Sequence, residues 1–193
     1  RPGTGTRVNS GGAKIIFSDS NTHHRGAENY RRSGVTDPMR IEKDGFYAHQ
    51  VMWNGWVDTD KFQTYIIGHW NYPKNTVKPI YVVSNGENVE LFLNGQSLGK
   101  GKREYNFLFT FDKVSYQPGK LEAVSYDKGG KEVSRYMIST VGEPAKLKLT
   151  AIQNPEGFHA DGADMALIQV EVVDNNGKRC PLDNRTIQFT LKG

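Results

Sequence analysis

The sequence predicts a mainly β protein built as an antiparallel, immunoglobulin-like β-sandwich. From Pro79 onward, apolar and polar residues alternate with the period of two that is typical of half-buried strands. Asn94-Gly95 is the dipeptide most typical of a two-residue hairpin, because both residues accept a positive φ. Lys128-Gly129-Gly130 separates two further alternating runs. Six or so short strands within about 65 residues indicate a small antiparallel sandwich.

The alternation also sets the expected strand positions. In the first set, strands are expected over residues 80–84, 89–93, 97–101, 105–111, 120–126 and 132–138. A linker is expected at Gly142-Glu143-Pro144, and strands at 147–149, 167–173 and 186–191 should follow it. An immunoglobulin-like sandwich needs about seven strands. This second set is therefore expected to be only the opening part of a second module.

The N-terminal part of the chain has a different composition. All three tryptophans and four of the five histidines lie in the first 72 residues. Residues 14–17 are an apolar run of the size of a buried strand, and residues 18–26 after it contain no aliphatic side chain. Polar side chains at the end of a buried strand are a common arrangement in binding sites, because the strand holds them and the loop exposes them.

A helix is expected after this polar segment. Asp37-Pro38 is a helix-start signal, with Asp as the cap and Pro at the first helical position. The helix should run from about Met39 to Met52, with a possible break at Lys43-Asp44. Residues 53–56 should end it, and a strand is expected over residues 64–70. The packing face of the helix is expected to comprise Phe46, Tyr47, Gln50 and Val51.

Composition and charge argue against nucleic-acid binding and against a membrane-spanning segment. The net charge of +4 is dispersed along the chain and its longest basic cluster is Arg31-Arg32, so nucleic-acid binding is not expected. The single cysteine, Cys180, cannot form an intrachain disulfide and is expected to be a small residue packed beside a strand. No stretch approaches the roughly 20 apolar residues of a membrane span. No signal peptide is visible, and the start at Arg1 suggests that the natural N-terminus lies further upstream.

Three segments in this order carry a resemblance to a known family. They are RVNSGGAKIIFSDSNTHHRGAENYRRSGVTDPMRIEKDGFYAHQVMW, YIIGHWNYP and PIYVVSNGENVELFLNGQSLGK. Together they resemble the C-terminal part of glycoside hydrolase family 2 enzymes, the β-galactosidase-like exo-glycosidases of polysaccharide-degrading Gram-negative bacteria. The resemblance covers essentially the whole chain. It implies three parts: residues 1–72 as the last strand, rim loop, last helix and connector of a (β/α)8 barrel, residues 73–142 as an immunoglobulin-like sandwich, and residues 143–193 as the truncated start of a second such module.

The resemblance also implies a function for the parent protein. Such an enzyme would be a retaining exo-glycosidase that hydrolyses terminal β-linked sugars, with β-galactosides expected first, and its partners would be an oligo- or polysaccharide substrate and the remainder of the parent enzyme. Retaining hydrolysis needs two carboxyl groups about 5–5.5 Å apart. The family supplies them from earlier barrel strands, upstream of Arg1, so no catalytic residue is assigned here and Glu28 is rejected. The fragment alone should be inert. No cofactor is expected, and the expected location is periplasmic, secreted or on the cell surface.

Asn21, His23, His24 and Asp19 are the candidate substrate-binding residues. The first three could hydrogen-bond sugar hydroxyls at the barrel rim, or the loop could be satisfied by its own side chains. Asp19 could instead hold a neighbouring histidine ring nitrogen or a cation. Two histidines and one aspartate do not establish a metal site, and none is predicted.

Arginines around this segment also allow two interpretations. Arg25, Arg31 and Arg32 could recognise acidic or sulfated sugars through bidentate contacts. Structural ion pairs with Glu28 and Asp37 are the favoured alternative, because charged runs are usually solvated faces.

The tryptophans are expected to be packing anchors. Trp53, Trp56 and Trp70 could stack on sugar rings, but large aromatic residues more often anchor a core or an interface, here the one between barrel and sandwich. His69 is expected to cap a packed interface and not to bind a metal.

A different class of function remains open. The chain could be a non-catalytic, immunoglobulin-like carbohydrate-binding or spacer module of a bacterial surface protein. A strand-only adhesin stalk is disfavoured, because a helix and a polar rim loop in residues 1–72 would have no role in it.

Overall fold

A computed structural model describes residues 16–20 and 32–192 of the chain. Within these residues, one helix precedes three antiparallel sheets, which confirms the prediction of a mainly β protein. The elements are α1 (Asp44–Trp56), β1 (Thr64–Ile66), β2 (Val77–Ser84), β3 (Asn88–Leu93), β4 (Gln96–Lys100), β5 (Lys102–Tyr105), β6 (Leu108–Ser115), β7 (Lys120–Tyr126), β8 (Glu132–Ser139), β9 (Lys146–Ile152) and β10 (Leu167–Val173).

Two four-stranded sheets form the β-sandwich. One has the order β1-β2-β6-β5 and the other β4-β3-β7-β8. On β3 every second residue is buried, as its alternating sequence requires, and Val89 and Leu91 are fully enclosed. The core between the sheets is apolar and contains Ile66, Trp70, Ile80, Val82, Val89, Leu91, Leu93, Phe109, Phe111, Val114, Tyr116, Leu121 and Ala123.

The predicted Asn94-Gly95 hairpin is confirmed. It joins β3 to β4, and φ is 52° at Asn94 and 84° at Gly95, as a type I′ turn demands. The Asn94 side chain adds two bonds, accepting at Oδ1 from the Lys120 amide at 2.8 Å and donating to the Pro118 carbonyl at 3.1 Å. The hairpin across residues 128–130 is confirmed as well, between β7 and β8.

Trp70 is one of the largest side chains in the sandwich core. Its ring is 1% exposed and meets the Tyr116 ring edge-on at a centroid distance of 5.1 Å. The indole Nε1–H donates to the Gln117 carbonyl at 3.0 Å, so burial leaves no unpaired donor on the ring. Trp70 does not belong to a strand, because β1 ends at Ile66 and Gly68 takes a φ of 92°. The expected strand over residues 64–70 is therefore shorter than predicted.

The predicted start of the helix is wrong. Asp37 accepts the amides of Met39 and Ile41 on Oδ1, each at 2.8 Å, and so forms a local turn in place of a helix cap. Arg40 then takes a φ of 67°, which no α-helix tolerates. α1 begins only at Asp44, close to the break that the sequence allowed, and it runs through the expected end to Trp56.

α1 is attached to the sandwich through Tyr47 and Val51, two of the four residues of its predicted packing face. Val51 is fully buried with Tyr65 and Val83, and Tyr47 stacks on Tyr65 at 4.5 Å. The Tyr65 hydroxyl donates to Asp44 Oδ1 at 2.7 Å, and burial together with this carboxylate raises the pKa of Tyr65 far above its usual value. The phenol therefore stays protonated and keeps the first turn of the helix fixed to β1.

A buried hydroxyl network joins the two sheets of the sandwich. The Oγ1 of Thr64 on β1 lies 2.6 Å from the Oγ of Ser125 on β7 and 3.1 Å from the Oγ of Ser84 on β2. Ser125 also donates to the Ser134 carbonyl at 3.2 Å. Buried hydroxyls that all find partners add directional contacts to a core that is otherwise apolar.

β9 and β10 form a separate two-stranded sheet. The expected strand over residues 186–191 is wrong, because those residues form no ladder, and Phe189 and Leu191 are 73% and 97% exposed. Residues 185–188 line a cleft beside Leu147 and Val172, but they do not pair with either strand. An extended segment becomes a strand only when its backbone finds a neighbour.

The segment predicted as a linker is the joint between this sheet and the sandwich. Asp174 accepts the Gly142 amide at 2.9 Å and also the amides of Lys178 and Asn176 in its own turn. These bonds, those from Gly142 and Lys178 first, lower the pKa of the Asp174 carboxyl. Cys180 is buried beside β10, as expected, and its amide donates to the Val172 carbonyl at 2.8 Å.

Candidate functional site

Part of the predicted rim site lies outside the described residues. This concerns three of the four proposed sugar-binding residues, two of the three arginines, and the rejected glutamate: Asn21, His23, His24, Arg25, Arg31 and Glu28. Residues 14 and 15 of the expected barrel strand lie outside as well. For these residues the assignments stay predictions. The structure does describe Asp19 and the scaffold around it.

Residues 16–20 lie against the segment that leads to α1. Ser18 forms a parallel bridge with Thr36, and the Phe17 carbonyl accepts the amides of Val35 at 2.8 Å and Thr36 at 3.2 Å. The Asp19 amide donates to the Thr36 carbonyl at 3.0 Å. This pairing fixes the backbone direction of the segment and therefore the direction of the Asp19 side chain.

Asp19 is a buried carboxylate with a cationic partner. The residue is 6% exposed, and the Lys43 ammonium donates to its two oxygens at 2.8 and 3.0 Å. The Gly34 amide donates to Oδ1 at 2.8 Å. Lys43, one residue before α1, therefore places a positive charge beside Asp19.

Gly34 allows this close approach. A Cβ at this position would lie 2.4 Å from the Asp19 amide nitrogen and 2.5 Å from the Ser18 carbonyl carbon, both of which are backbone atoms. Contacts this short are incompatible with any side chain unless the backbone moves. The glycine is therefore a packing requirement of the Asp19 site.

Of the two carboxylates favoured as ion-pair partners of the arginines, Glu28 lies outside the described residues and Asp37 accepts backbone amides. Asp37 uses Oδ1 on the amides of Met39 and Ile41. The Arg32 carbonyl accepts the Lys43 ammonium at 3.3 Å. Lys43 thus connects Asp19 to the chain entering the helix segment.

The aromatic residues divide into buried and exposed ones. Trp70 is a core anchor, as predicted. Trp53 and Trp56 are instead 60% and 64% exposed in this chain. Trp56 still contacts the Phe107 ring edge-on, at a centroid distance of 5.2 Å. His69 stacks on Tyr72 at 4.6 Å and accepts the Asn71 amide on Nδ1 at 3.1 Å. Burial, and secondarily Lys78, lowers the pKa of His69. It behaves as the packed residue that was expected.

An apolar cleft adjoins the Asp19 segment. It has a volume of about 330 Å³ and is lined by Phe17, Val35, Phe46, His49, Gln50 and Trp53. The sequence did not predict this cleft, because its walls join Phe17 and Val35 to α1, which begins later than expected. The one sequence feature that could have indicated the cleft is the 3–4 spacing of Phe46, Gln50 and Trp53, which places them on one face of a helix. Within residues 16–20 and 32–192, no group of three or more metal-ligating side chains exists.

Comparison with known families assigns both β parts of the chain. Residues 75–134 match a family described as a domain of unknown function, DUF4982. Residues 147–193 match the family described as glycoside hydrolase family 2 C-terminal domain 5. The chain belongs to the C-terminal region of glycoside hydrolase family 2 proteins.

Relatives in this family support the same assignment. A protein named β-glucuronidase from Formosa agariphila is 43% identical over 188 residues, which is 95% of this chain but 18% of that protein. A protein named β-galactosidase from Bacteroides ovatus is 31% identical over 161 residues, 83% of this chain and 18% of that protein. The chain thus spans less than a fifth of the length of these family 2 relatives.

Solved structures agree with the fold. A β-glucuronidase from glycoside hydrolase family 2 superposes with a TM-score of 0.79 at 42% identity, covering 87% of this chain and 17% of that one. A family 2 member from Bacteroides cellulosilyticus gives a TM-score of 0.67 at 30% identity, covering 77% and 22%. These matches support the antiparallel sandwich as a family 2 module. In the part of the chain that the structure describes, no helix has the length and apolar character needed to cross a bilayer.

Proposed function

We propose that this chain is the C-terminal part of a retaining exo-glycosidase that removes terminal β-linked sugars from an oligo- or polysaccharide. The observation that carries the proposal is the 43% identity to a protein named β-glucuronidase, which extends over 95% of this chain. That span includes the rim segment (residues 18–26) and α1 as well as the β modules. A free-standing spacer module would have no reason to keep the first of these parts.

The sugar is proposed to be a β-glucuronide, with a β-galactoside as the alternative. The relative with 43% identity is named a β-glucuronidase, whereas the relative named a β-galactosidase is 31% identical. This order differs from the expectation that put galactosides first. The acidic sugar is also compatible with the arginine-rich segment around residues 25–32, where guanidinium groups could pair with a carboxylate.

The chain is proposed to supply support and positioning, not the reacting groups. Retaining hydrolysis needs a carboxyl pair about 5–5.5 Å apart, and the described residues contribute one buried carboxylate at the rim, Asp19, already paired with Lys43. The two working carboxyls would come from parts of the parent protein outside these 193 residues. Asp19 and Lys43 would hold residues 16–20 in place, and Asn21, His23 and His24 would then contact the sugar.

The parent protein would act outside the cytoplasm, in the periplasm or at the cell surface, where polysaccharide fragments are available. This location follows from the proposed substrate class.

The test is to assay the full-length parent protein on 4-nitrophenyl β-glucuronide and 4-nitrophenyl β-galactoside, with the anomeric product followed by NMR. We expect hydrolysis with retention and a higher kcat/KM for the glucuronide. Glu28→Gln serves as the control and should keep full activity, because no catalytic role is assigned to it. Hydrolysis with inversion, or no hydrolysis of either glycoside by a folded parent, would contradict the proposal.

The rim residues can be tested in the same assay. His23→Ala and His24→Ala should each raise KM or lower kcat on the preferred glycoside, since each would remove a hydrogen bond to the sugar. Unchanged values of both constants would remove these histidines from the site and leave the enzyme class intact.

A further inference from the structure

A polar cleft lies at the open edge of the sandwich, where the chain crosses from β4 to β5. Its volume is about 460 Å³, which is enough to accept one or two sugar rings. The walls come from both sheets and include Leu98, Lys100, Lys102, Asp112, Lys113 and Gln117. None of these residues belongs to the rim segment or to α1.

The cleft carries an excess of positive charge. The lining includes three lysines, Lys100 on β4, Lys102 on β5 and Lys113 on β6, and a single carboxylate, Asp112. Lys102 is partly neutralised by Glu104 at 3.4 Å. Lys100 and Lys113 form no ion pair within residues 16–20 and 32–192. Lys100 and Lys113, one from each sheet, therefore line the cleft as the two lysines with no carboxylate partner among the described residues.

Strand pairing leaves one side of β6 open to this cleft. β5 pairs with β6 only between Leu108 and Thr110, so the later part of β6 has β2 on one side and the cleft on the other. Ser115 and Gln117 follow along the same wall and are exposed, which adds a hydroxyl and an amide to the lining. The exposed Leu98 gives the cleft a short apolar edge on β4.

Lys113 has an unfavourable backbone conformation. Its φ is 55°, at an irregularity of the β2–β6 ladder between Lys78 and Ile80. A left-handed conformation is unfavourable for a residue with a Cβ, and glycine avoids that cost. Residues in strained backbone conformations are concentrated at functional sites.

We propose that this cleft binds the anionic group of an acidic saccharide, a carboxylate or a sulfate ester, between Lys100 and Lys113. Ammonium groups form strong charge-assisted bonds with such anions, and the hydroxyl and amide on the same wall suit the neighbouring sugar hydroxyls. A neutral sugar would leave both lysines unused. Binding here requires no turnover and goes beyond the proposed hydrolysis.

The test is an NMR titration of the ¹⁵N-labelled chain with three disaccharides: one ending in glucuronic acid, its neutral glucose counterpart and a sulfated counterpart. We expect one or both acidic sugars to shift amides of β4, β5 and the second half of β6, and the neutral sugar to give no saturable shift. Lys100→Ala with Lys113→Ala should weaken binding at least about tenfold, equivalent to about 1.4 kcal/mol. Raising the salt concentration should weaken it as well.

The matched control removes the same charge from the β7–β8 turn, in Lys128→Ala with Lys131→Ala, two exposed residues that do not line this cleft. This control pair should bind as the unaltered chain does. All four lysines are exposed, so both variants should fold, and circular dichroism melting checks that they do. Equal binding of neutral and acidic sugars, equal loss in both pairs, or no binding of any of the three sugars would overturn the proposal. An inactive parent enzyme would leave it untouched.

Discussion

Strands β3 and β9 have the same alternating sequence pattern and opposite burial. On β3, Val89 and Leu91 are fully buried, whereas every residue of β9 is exposed and Leu149 retains 65% of its surface. The difference does not come from hydrophobicity. It comes from the second sheet that covers β3 and that β9–β10 lacks in the described part of the chain. Alternation therefore predicts a strand, and burial depends on whether a partner layer is present.

The β9–β10 sheet nevertheless has two chemically distinct faces. Leu147 and Leu149 lie opposite Val172 and Val170 on one face. On the other face Lys148 pairs with Glu171 at 3.3 Å. The same division on β3 produces a core. The sandwich is therefore stabilised by an apolar core between its two sheets, whereas the apolar face of β9–β10 is exposed in the described part of the chain.

The largest expected effect contrasts the two regions directly. Leu91→Ala should lower the free energy of unfolding by about 3 kcal/mol, because it empties a fully enclosed site. Leu149→Ala should lower it by less than about 0.5 kcal/mol, because little surface is removed from contact. Urea denaturation of both variants measures the difference. Similar losses would mean that the β9–β10 face is buried in solution, and the contrast would fail.

The sequence predicted the regions that depend on local chemistry. The β3–β4 hairpin follows from two residues that tolerate positive φ, Asn94 and Gly95, so neighbouring positions were enough to predict it. The helix start was wrong, because the Asp37 carboxylate formed a turn with Met39 and Ile41 that a capping signal does not distinguish.

Features made by distant residues were not predictable from the sequence. The strand over residues 186–191 was wrong, because a pattern cannot show whether a pairing neighbour exists. At the rim, the sequence singled out Asp19 as a polar residue at the end of an apolar run, and its role in binding sugar stays a prediction. Its partner Lys43, which is 24 positions away, and the need for Gly34 depend on how two segments meet. The lysine cleft is assembled from three strands for the same reason.

A second variant tests whether Asp19 contributes to the stability of the chain, as Leu91 does, or contributes little, as Leu149 does. Asp19→Ala should lower the stability of the chain by about 2 kcal/mol. Leaving the Lys43 ammonium beside an apolar methyl is costly, but that ammonium is about a third exposed, so the effect is below that of a fully buried pair. Thermal unfolding compared with Asp58→Ala, at an exposed ion pair, provides the measurement and the control. Equal melting temperatures would show that Asp19 is not a structural residue.

A smaller effect is expected for Lys113→Gly in the cleft. Glycine removes the left-handed strain of roughly 1–2 kcal/mol but adds about 0.5–1 kcal/mol of backbone entropy cost, so the net result should be a stabilisation of about 0.5 kcal/mol. The same variant should bind acidic saccharides more weakly. Chemical denaturation measures the gain in stability, and the NMR titration measures the loss of affinity for acidic saccharides. A loss of stability would show that the lysine side chain supports the sandwich.

The joint between the two regions should respond to acid. The folded pKa of Asp174 is lowered by the amides of Gly142 and Lys178, so its stabilising contribution is complete above the unfolded pKa of about 3.9. That contribution is lost as the pH falls further, through the folded pKa. The Gly142 amide shift should follow this titration below pH 3.9, and Asp174→Asn should abolish it. A midpoint at or above 3.9 would contradict the assignment.

Amide hydrogen exchange, measured strand by strand on the 193-residue chain, tests the difference between the two regions most directly. Amides of β3 and β7 should exchange only through global unfolding, and their protection should fall with Leu91→Ala. Amides of β9 and β10 should exchange through local opening at a distinctly lower free energy, and they should be insensitive to that variant. Equal protection in the sandwich and in β9–β10, with the same response to Leu91→Ala, would show one cooperative unit and contradict the account.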